Sequence, residues 1–345
     1  MNIEYLIGSK KEFFEFVDLI TSADKIAIIS HTDLDGLASA LFMEKILEAE
    51  NLKPEELYFL GINKDMVSEI LLKLKEKEIT KVFILDIGVD SIDPEGFSEL
   101  RREIDVFLID HHPSNEVLED KRNVIKTASS DCTAMTVFDL GKDLIDIENW
   151  EWLNCAAIFS DYSHKKKENF EYIKSVYPEV RLENISTSVP GVNARKISST
   201  LIYYKNDAKH VYDLVKERKM DELTEIYQLI EEEVNRIVED FSKNKEYYPE
   251  KNLYFYEVVS NFKIMSYVVS MISKMGSNKI FVFMFREGDY IKFSARNQGG
   301  EFDVSALMKK CVEGLEGANG GGHRAASAAK IKSEDLEEFK KRLLL

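Results

Sequence analysis

Four short stretches place acid or imidazole where an apolar run stops. "HTDLDG" carries His31, Asp33 and Asp35; "FILD" ends at Asp86; "FLIDHH" ends at Asp110, His111 and His112; "NCAAIFSD" ends at Asp161. Three of the chain's six histidines and five of its carboxylates share these positions. Taken singly, each has an ordinary explanation: an aspartate after a strand caps a helix, and a lone histidine sits on the surface or in a satisfied core. Taken together they do not. Five carboxylates packed without cations would repel, and some would have to protonate. A divalent metal resolves that conflict. Carboxylate and imidazole without thiolate suit Mn²⁺, with Mg²⁺, Co²⁺ and Zn²⁺ also compatible. About six ligands are too many for one ion that keeps a position open, and they suit a pair roughly 3.5–4 Å apart that shares a carboxylate and a water. Such a pair lowers the pKa of that water, making hydroxide available at neutral pH, and holds both sides of an in-line displacement at phosphorus. Residue types alone do not separate the roles of His111 and His112.

The surrounding elements must bring these ends to one place. "KIAIIS", "LYFLGI", "KVFILD" and "DVFLID" are continuous apolar runs, as strands buried on both faces are. Helical stretches lie between them, over 36–50 and 65–77. Alternation of this kind implies βαβ units and a parallel sheet, whose ligands gather at the carboxyl ends of the strands. Residues two apart in extended chain point the same way, so His31, Asp33 and Asp35 are expected to converge.

From about Asn149 the pattern turns helical. A long charged amphipathic helix is expected from Asp221 to Lys245 as the connection to a second, smaller mixed α/β segment. There "NLYFYEVV" reads as a strand, and "KIFVFMF-REGD-YIKFSAR" as a hairpin. "DVSALMKKCVEGL" reads as a helix with Asp303 as N-cap, and "FKIMSYVVSMISKM" as helical core. Near Ser130, "SSDCTA" reads as the cap of a helix from Cys132 onward. "HKKKEN" after Asp161 reads as a solvated charge run. "NGGGHR" reads as a loop whose glycines Gly320, Gly321 and Gly322 would let backbone amides approach an anion, with His323 and Arg296 as charge-assisted donors.

"HTDLDG", Asp86, "DHH" and "FSD", in that order, resemble the four motifs of DHH-family phosphoesterases. The first motif looks most like the archaeal RecJ-like branch. "FSARNQ" followed by "EGANGGGHRAASAA" is similar to the DHHA1 domain, so the resemblance spans nearly the whole chain. It implies a parallel-sheet DHH catalytic domain over 1–195, a helical linker over 196–249, and a mixed α/β DHHA1 substrate-binding domain over 250–345. It further implies one metal held by His31, Asp33 and Asp86, and another held by Asp35, Asp86, His111 and Asp161. Asp110 would fix an imidazole, His112 would contact the scissile phosphate, and Arg296, the three glycines and His323 would hold the substrate.

Composition narrows the activity. The 345 residues carry a net charge of −16, which argues against a broad basic surface coating long nucleic acid. No apolar run approaches the roughly 18 residues of a membrane span, and "MNIEYLIGSKKEFF" does not read as a signal peptide. Three dispersed cysteines, Cys132, Cys155 and Cys311, suggest reduced thiols and a cytoplasmic setting. The expected activity is Mn²⁺-dependent hydrolysis of short single-stranded RNA or DNA, or of a cyclic or linear dinucleotide, to mononucleotides. A processive single-strand exonuclease of RecJ type is the first alternative. A non-catalytic replication scaffold ranks behind it, because no ligand is missing. A homodimer and a replication or repair protein are further partners to expect.

Overall fold

A computed structural model describes residues 3–114, 120–144, 149–205 and 207–345. The chain divides into two compact units, Met1–Tyr227 and Gln228–Leu345. In the first unit the strands are β1 (Tyr5–Ile7), β2 (Ile26–His31), β3 (Pro54–Leu60), β4 (Lys81–Leu85), β5 (Asp105–Asp110) and β6 (Val124–Thr127). They form one sheet in the order β1-β6-β5-β4-β2-β3. Every pairing is parallel except β1 with β6.

The continuous apolar runs have the cause expected of them. Alternate residues of β2, β4 and β5 enter opposite cores: Ile28, Phe83 and Phe107 on one face, Ala27, Val82 and Val106 on the other. The chain leaves β2 for β3 on one side, then returns to β4 on the other side of β2. The carboxyl ends of β2 and β4 therefore flank a topological switch point, where an open α/β sheet leaves a crevice.

Helix Leu34–Ala49 follows β2 directly and is buried nearly all round. It packs against helices Thr133–Gly141 and Glu151–Ser160. Helices Val189–Tyr203 and Ala208–Lys216 belong to the same core through Ile197, Leu201, Val211 and Val215. The first part of the segment expected as a linker over 196–249 is thus packed protein of the first unit, with Asn206 outside the described residues. Helix Met220–Asn244 contains the boundary between the units. Among the described residues no helix is long and apolar enough to cross a membrane.

The second unit contains β7 (Glu246–Tyr248), β8 (Leu253–Glu257), β9 (Ile280–Glu287), β10 (Tyr290–Arg296), β11 (Asn319–His323) and β12 (Ala326–Lys332). The sheet order is β11-β12-β10-β9-β8-β7, antiparallel except for β8 with β9. The hairpin β9–β10 forms as expected. Asp303 caps helix Val304–Val312 by accepting from the Ala306 amide at 2.9 Å. The expected glycine loop is different: Gly320 to Gly322 lie inside the edge strand β11. Pairing with β12 engages one edge of their backbone, and the other edge stays open because β11 is the last strand of the sheet.

Gly36 is fixed by close approach. A Cβ there would lie 2.4 Å from the His31 carbonyl oxygen and 2.7 Å from its amide nitrogen, both backbone atoms that cannot swing aside. Gly36→Ala is expected to destabilise the protein by about 2 kcal/mol or more, read from the urea midpoint at constant slope. A change within about 0.5 kcal/mol would show that the turn has slack.

Candidate metal centre

His31 is the last residue of β2. Asp33 is the N-cap of the next helix, its Oδ1 accepting from the Gly36 amide at 3.0 Å. Asp35 lies inside the first helical turn. His31 and Asp33 fall in one donor group and Asp35 in the neighbouring one, and strand periodicity does not set this: the chain changes from strand to helix between them. Asp86 follows β4 with φ of 60°, a left-handed conformation that aspartate tolerates better than most residues. Its amide donates to the Ile109 carbonyl at 3.0 Å, so the turn is anchored to β5. Asp110 ends β5, and Asp161 is the C-cap of helix Glu151–Ser160.

The side chains meet at the sheet edge. His31 Nδ1 lies 3.0 Å from Asp33 Oδ2 and 3.8 Å from Asp86 Oδ2. His111 Nε2 lies 3.5 Å from Asp86 Oδ1 and 3.9 Å from Asp35 Oδ2, and its Nδ1 lies 3.8 Å from Asp161 Oδ2. Among the described residues, three groups have donor atoms within 4.8 Å of one another: His31 with Asp33 and Asp86; Asp35 with His111 and Asp161; and Asp86 with His111 and His112. Asp110 is in none of them. Its Oδ1 accepts from His112 Nδ1 at 2.7 Å and its Oδ2 from Lys126 Nζ at 2.6 Å. An ionised carboxylate only accepts, so His112 carries its proton on Nδ1 and leaves Nε2 free.

Sequence reasoning missed several partners. The N-terminus of helix Thr133–Gly141 is served by Asp35, which accepts from the amides of Thr133 at 2.9 Å and Ala134 at 2.7 Å. The local cap expected from "SSDCTA" is absent, because Cys132 at the cap position makes no side-chain bond. Thr133 Oγ1 also donates to Asp86 Oδ1 at 3.2 Å, and Ser163 Oγ to Asp161 Oδ2 at 2.9 Å. The run "HKKKEN" is only partly solvated: His164 is buried and stacked on Phe159, and Lys166 holds the buried Asp131 at 2.7 Å. A lysine inside the apolar strand run "VIKT" was the legible signal for Lys126.

The charges are crowded. Burial and the Asp33 charge raise Asp35 to about 6, although the Ala134 and Thr133 amides pull it down. Burial and the Asp35 charge raise Asp161 to about 7. Asp86 is pushed well above the carboxylate range by burial and by Asp35, Asp33 and Asp110. Burial also works on Asp110, but the His112 hydrogen bond and Lys126 outweigh it, so Asp110 lies below its ordinary value. His31 Nδ1 and His111 Nδ1 are buried without a well-aligned hydrogen bond. Imidazole nitrogens left in this way among carboxylates that cannot all stay charged fit divalent cations.

In the second unit, His323 faces Ala326 across β11–β12, and Ala326 faces Arg296 across β12–β10. The two expected anchors therefore share one cross-strand row, two strands or ~10 Å apart. Arg296 is already engaged by Ser270 and Ser294 hydroxyls, each at 3.1 Å.

Residues 25–159 match the model of the DHH family N-terminal domain, and residues 251–344 match that of the DHHA1 domain. The chain belongs to the DHH family. Its fold is similar to that of exonuclease RecJ bound to manganese, at 14% identity, TM-score 0.70, covering 97% of this chain and 92% of that one. It is similar to a DHH domain described as belonging to a family of ribosomal proteins, at 17% identity, TM-score 0.68, covering 99% and 93%. It is also similar to CDC45 from Entamoeba histolytica, at 12% identity, TM-score 0.60, covering 98% and 99%. A comparison with curated protein sequences finds no match. This DHH-family phosphoesterase, with its DHHA1 domain, is a metal-dependent phosphodiester hydrolase.

The raised carboxyls set a pH dependence. The metal-free fold retains protons on Asp35 and Asp161 that the unfolded chain releases near pH 4. The folded state binds more protons between pH 4 and about 7, so its stability falls as pH rises through that window. Metal-free protein is expected to melt at lower temperature at pH 8 than at pH 5, and Mn²⁺ is expected to raise Tm more at pH 8. An equal Mn²⁺ effect at both pH values would contradict the crowding.

Proposed function

We propose that this protein hydrolyses short single-stranded oligonucleotides, or a cyclic or linear dinucleotide, to mononucleotides with two Mn²⁺ ions. The observation that carries this reading is the pair of donor groups meeting at Asp86: His31 and Asp33 on one side, Asp35, His111 and Asp161 on the other. Asp86 would bridge the ions, which would polarise phosphate oxygens and supply hydroxide near neutral pH. Mn²⁺ is favoured over Mg²⁺ because two imidazoles stand in the set. RecJ structures of similar fold are described with Mn²⁺ and with Mg²⁺, so that likeness supports a divalent ion and the choice between the two rests on the imidazoles.

The remaining work falls to side chains. His112, held by Asp110 through Nδ1, would stabilise the charge that develops on the scissile phosphate once Nε2 is protonated as well, a state the Asp110 carboxylate favours by raising the imidazole above its ordinary value. Gly320 to Gly322, His323 and Arg296 hold the rest of the substrate. Charge distribution supports this division. Residues 228–345 carry as many basic as acidic side chains, so the whole net charge of −16 lies in the first unit. A polyanion is repelled least by the second unit and needs cations at the first.

A processive RecJ-type exonuclease is the second reading, favoured by the RecJ likeness. A scaffold is suggested by the CDC45 likeness alone, and the intact donor set speaks against it. The test incubates the protein and Mn²⁺ with labelled RNA and DNA of about two to twenty nucleotides and with cyclic dinucleotides. Turnover fastest on the shortest strands is expected; no turnover on any substrate would refute the enzymatic reading. Asp86→Ala is expected to abolish turnover while the protein stays folded. His323→Ala is expected to raise KM with little change in kcat, and a wild-type KM would remove the anchor role.

A further inference from the structure

Lys126 lies on β6, buried with 1% of its surface exposed, inside the otherwise apolar run "VIKT". A buried ammonium is costly and persists only when fully paired. Here it contacts Asp110 Oδ2 at 2.6 Å, Asp90 Oδ1 at 2.7 Å and the His112 carbonyl at 3.3 Å. Asp90 in turn accepts from Ser114 Oγ at 3.0 Å, and Ser91 Oγ donates to the Pro113 carbonyl at 3.3 Å. The segment carrying His112 is therefore tied down on both sides. Gly88 leaves room for the imidazole: a Cβ there would come within 3.3 Å of His112 Cβ.

We propose that Lys126 is a positioning residue, a resident cation that fixes the Asp110 carboxylate and through it the imidazole of His112. The proposal rests on His112 as the phosphate contact. Asp110 uses one oxygen for Lys126 and the other for His112, so the lysine sets the plane in which the imidazole is held. The same contact occupies the Asp110 oxygen that could otherwise turn to a metal, and Asp110 stays outside all three donor groups. A side chain thus does what a third ion would have to do, with none of the dependence on metal supply.

Two readouts test this. One is the downfield Nδ1 proton resonance of His112 in metal-free protein, identified by its disappearance in His112→Gln. The other is kcat and KM on a short oligonucleotide with Mn²⁺. Lys126→Met should lose or move the resonance and lower kcat on the order of 100-fold, with KM near wild type. A folded Lys126→Met with wild-type kcat or an unmoved resonance would overturn the proposal. Should that variant not fold, Asp90→Asn decides. With one anchor gone the ammonium recentres on Asp110, the resonance moves and kcat drops several-fold; neither change overturns the proposal as well. A wild type without turnover refutes the enzymatic reading and leaves the resonance to judge Lys126.

Discussion

Asp35, Asp86 and Asp161 are held closer together than three charged carboxylates can comfortably remain, and the rest of the first unit is arranged around that fact. Burial and mutual repulsion raise all three. The fold offers only partial relief: two helix amides for Asp35, a hydroxyl each for Asp86 and Asp161. A site left this way costs stability and gains affinity for cations, the exchange expected where a buried cluster serves chemistry.

The parallel sheet makes the cluster by its order. Because β2 stands between β3 and β4, His31 and Asp86 leave adjacent strand ends at the switch point, and β5 adds Asp110 and the two histidines beside them. The left-handed turn at Asp86 and the abrupt helix after Asp33 aim carboxylates inward. Asp110 is neutralised from within, by Lys126 and His112. One carboxylate thus serves an imidazole while its neighbours face the cations.

Much of this was legible in the sequence because strand ends are local signals. Runs such as "KVFILD" mark both the strand and the residue it delivers, and parallel order places the deliveries together. The misread parts are those that depend on distant contacts. Asp35 caps a helix 98 residues away, which no local pattern announces. Lys126 looks like a strand lysine until Asp90 and Asp110 are brought to it. The glycines of "NGGGHR" read as a loop because glycine weakens strands, yet pairing with β12 overrides that preference. Residues 196–216 fell within the expected linker, since the apolar faces of their helices find a core only against the first unit.

The most direct measurement of the shared carboxylate is electron paramagnetic resonance of the protein loaded with Mn²⁺. Two ions bridged by Asp86 predict an exchange-coupled dinuclear spectrum at two equivalents, replaced in Asp86→Ala by uncoupled signals. A wild-type spectrum at saturating Mn²⁺ that contains only isolated single-ion signals would contradict the bridged pair.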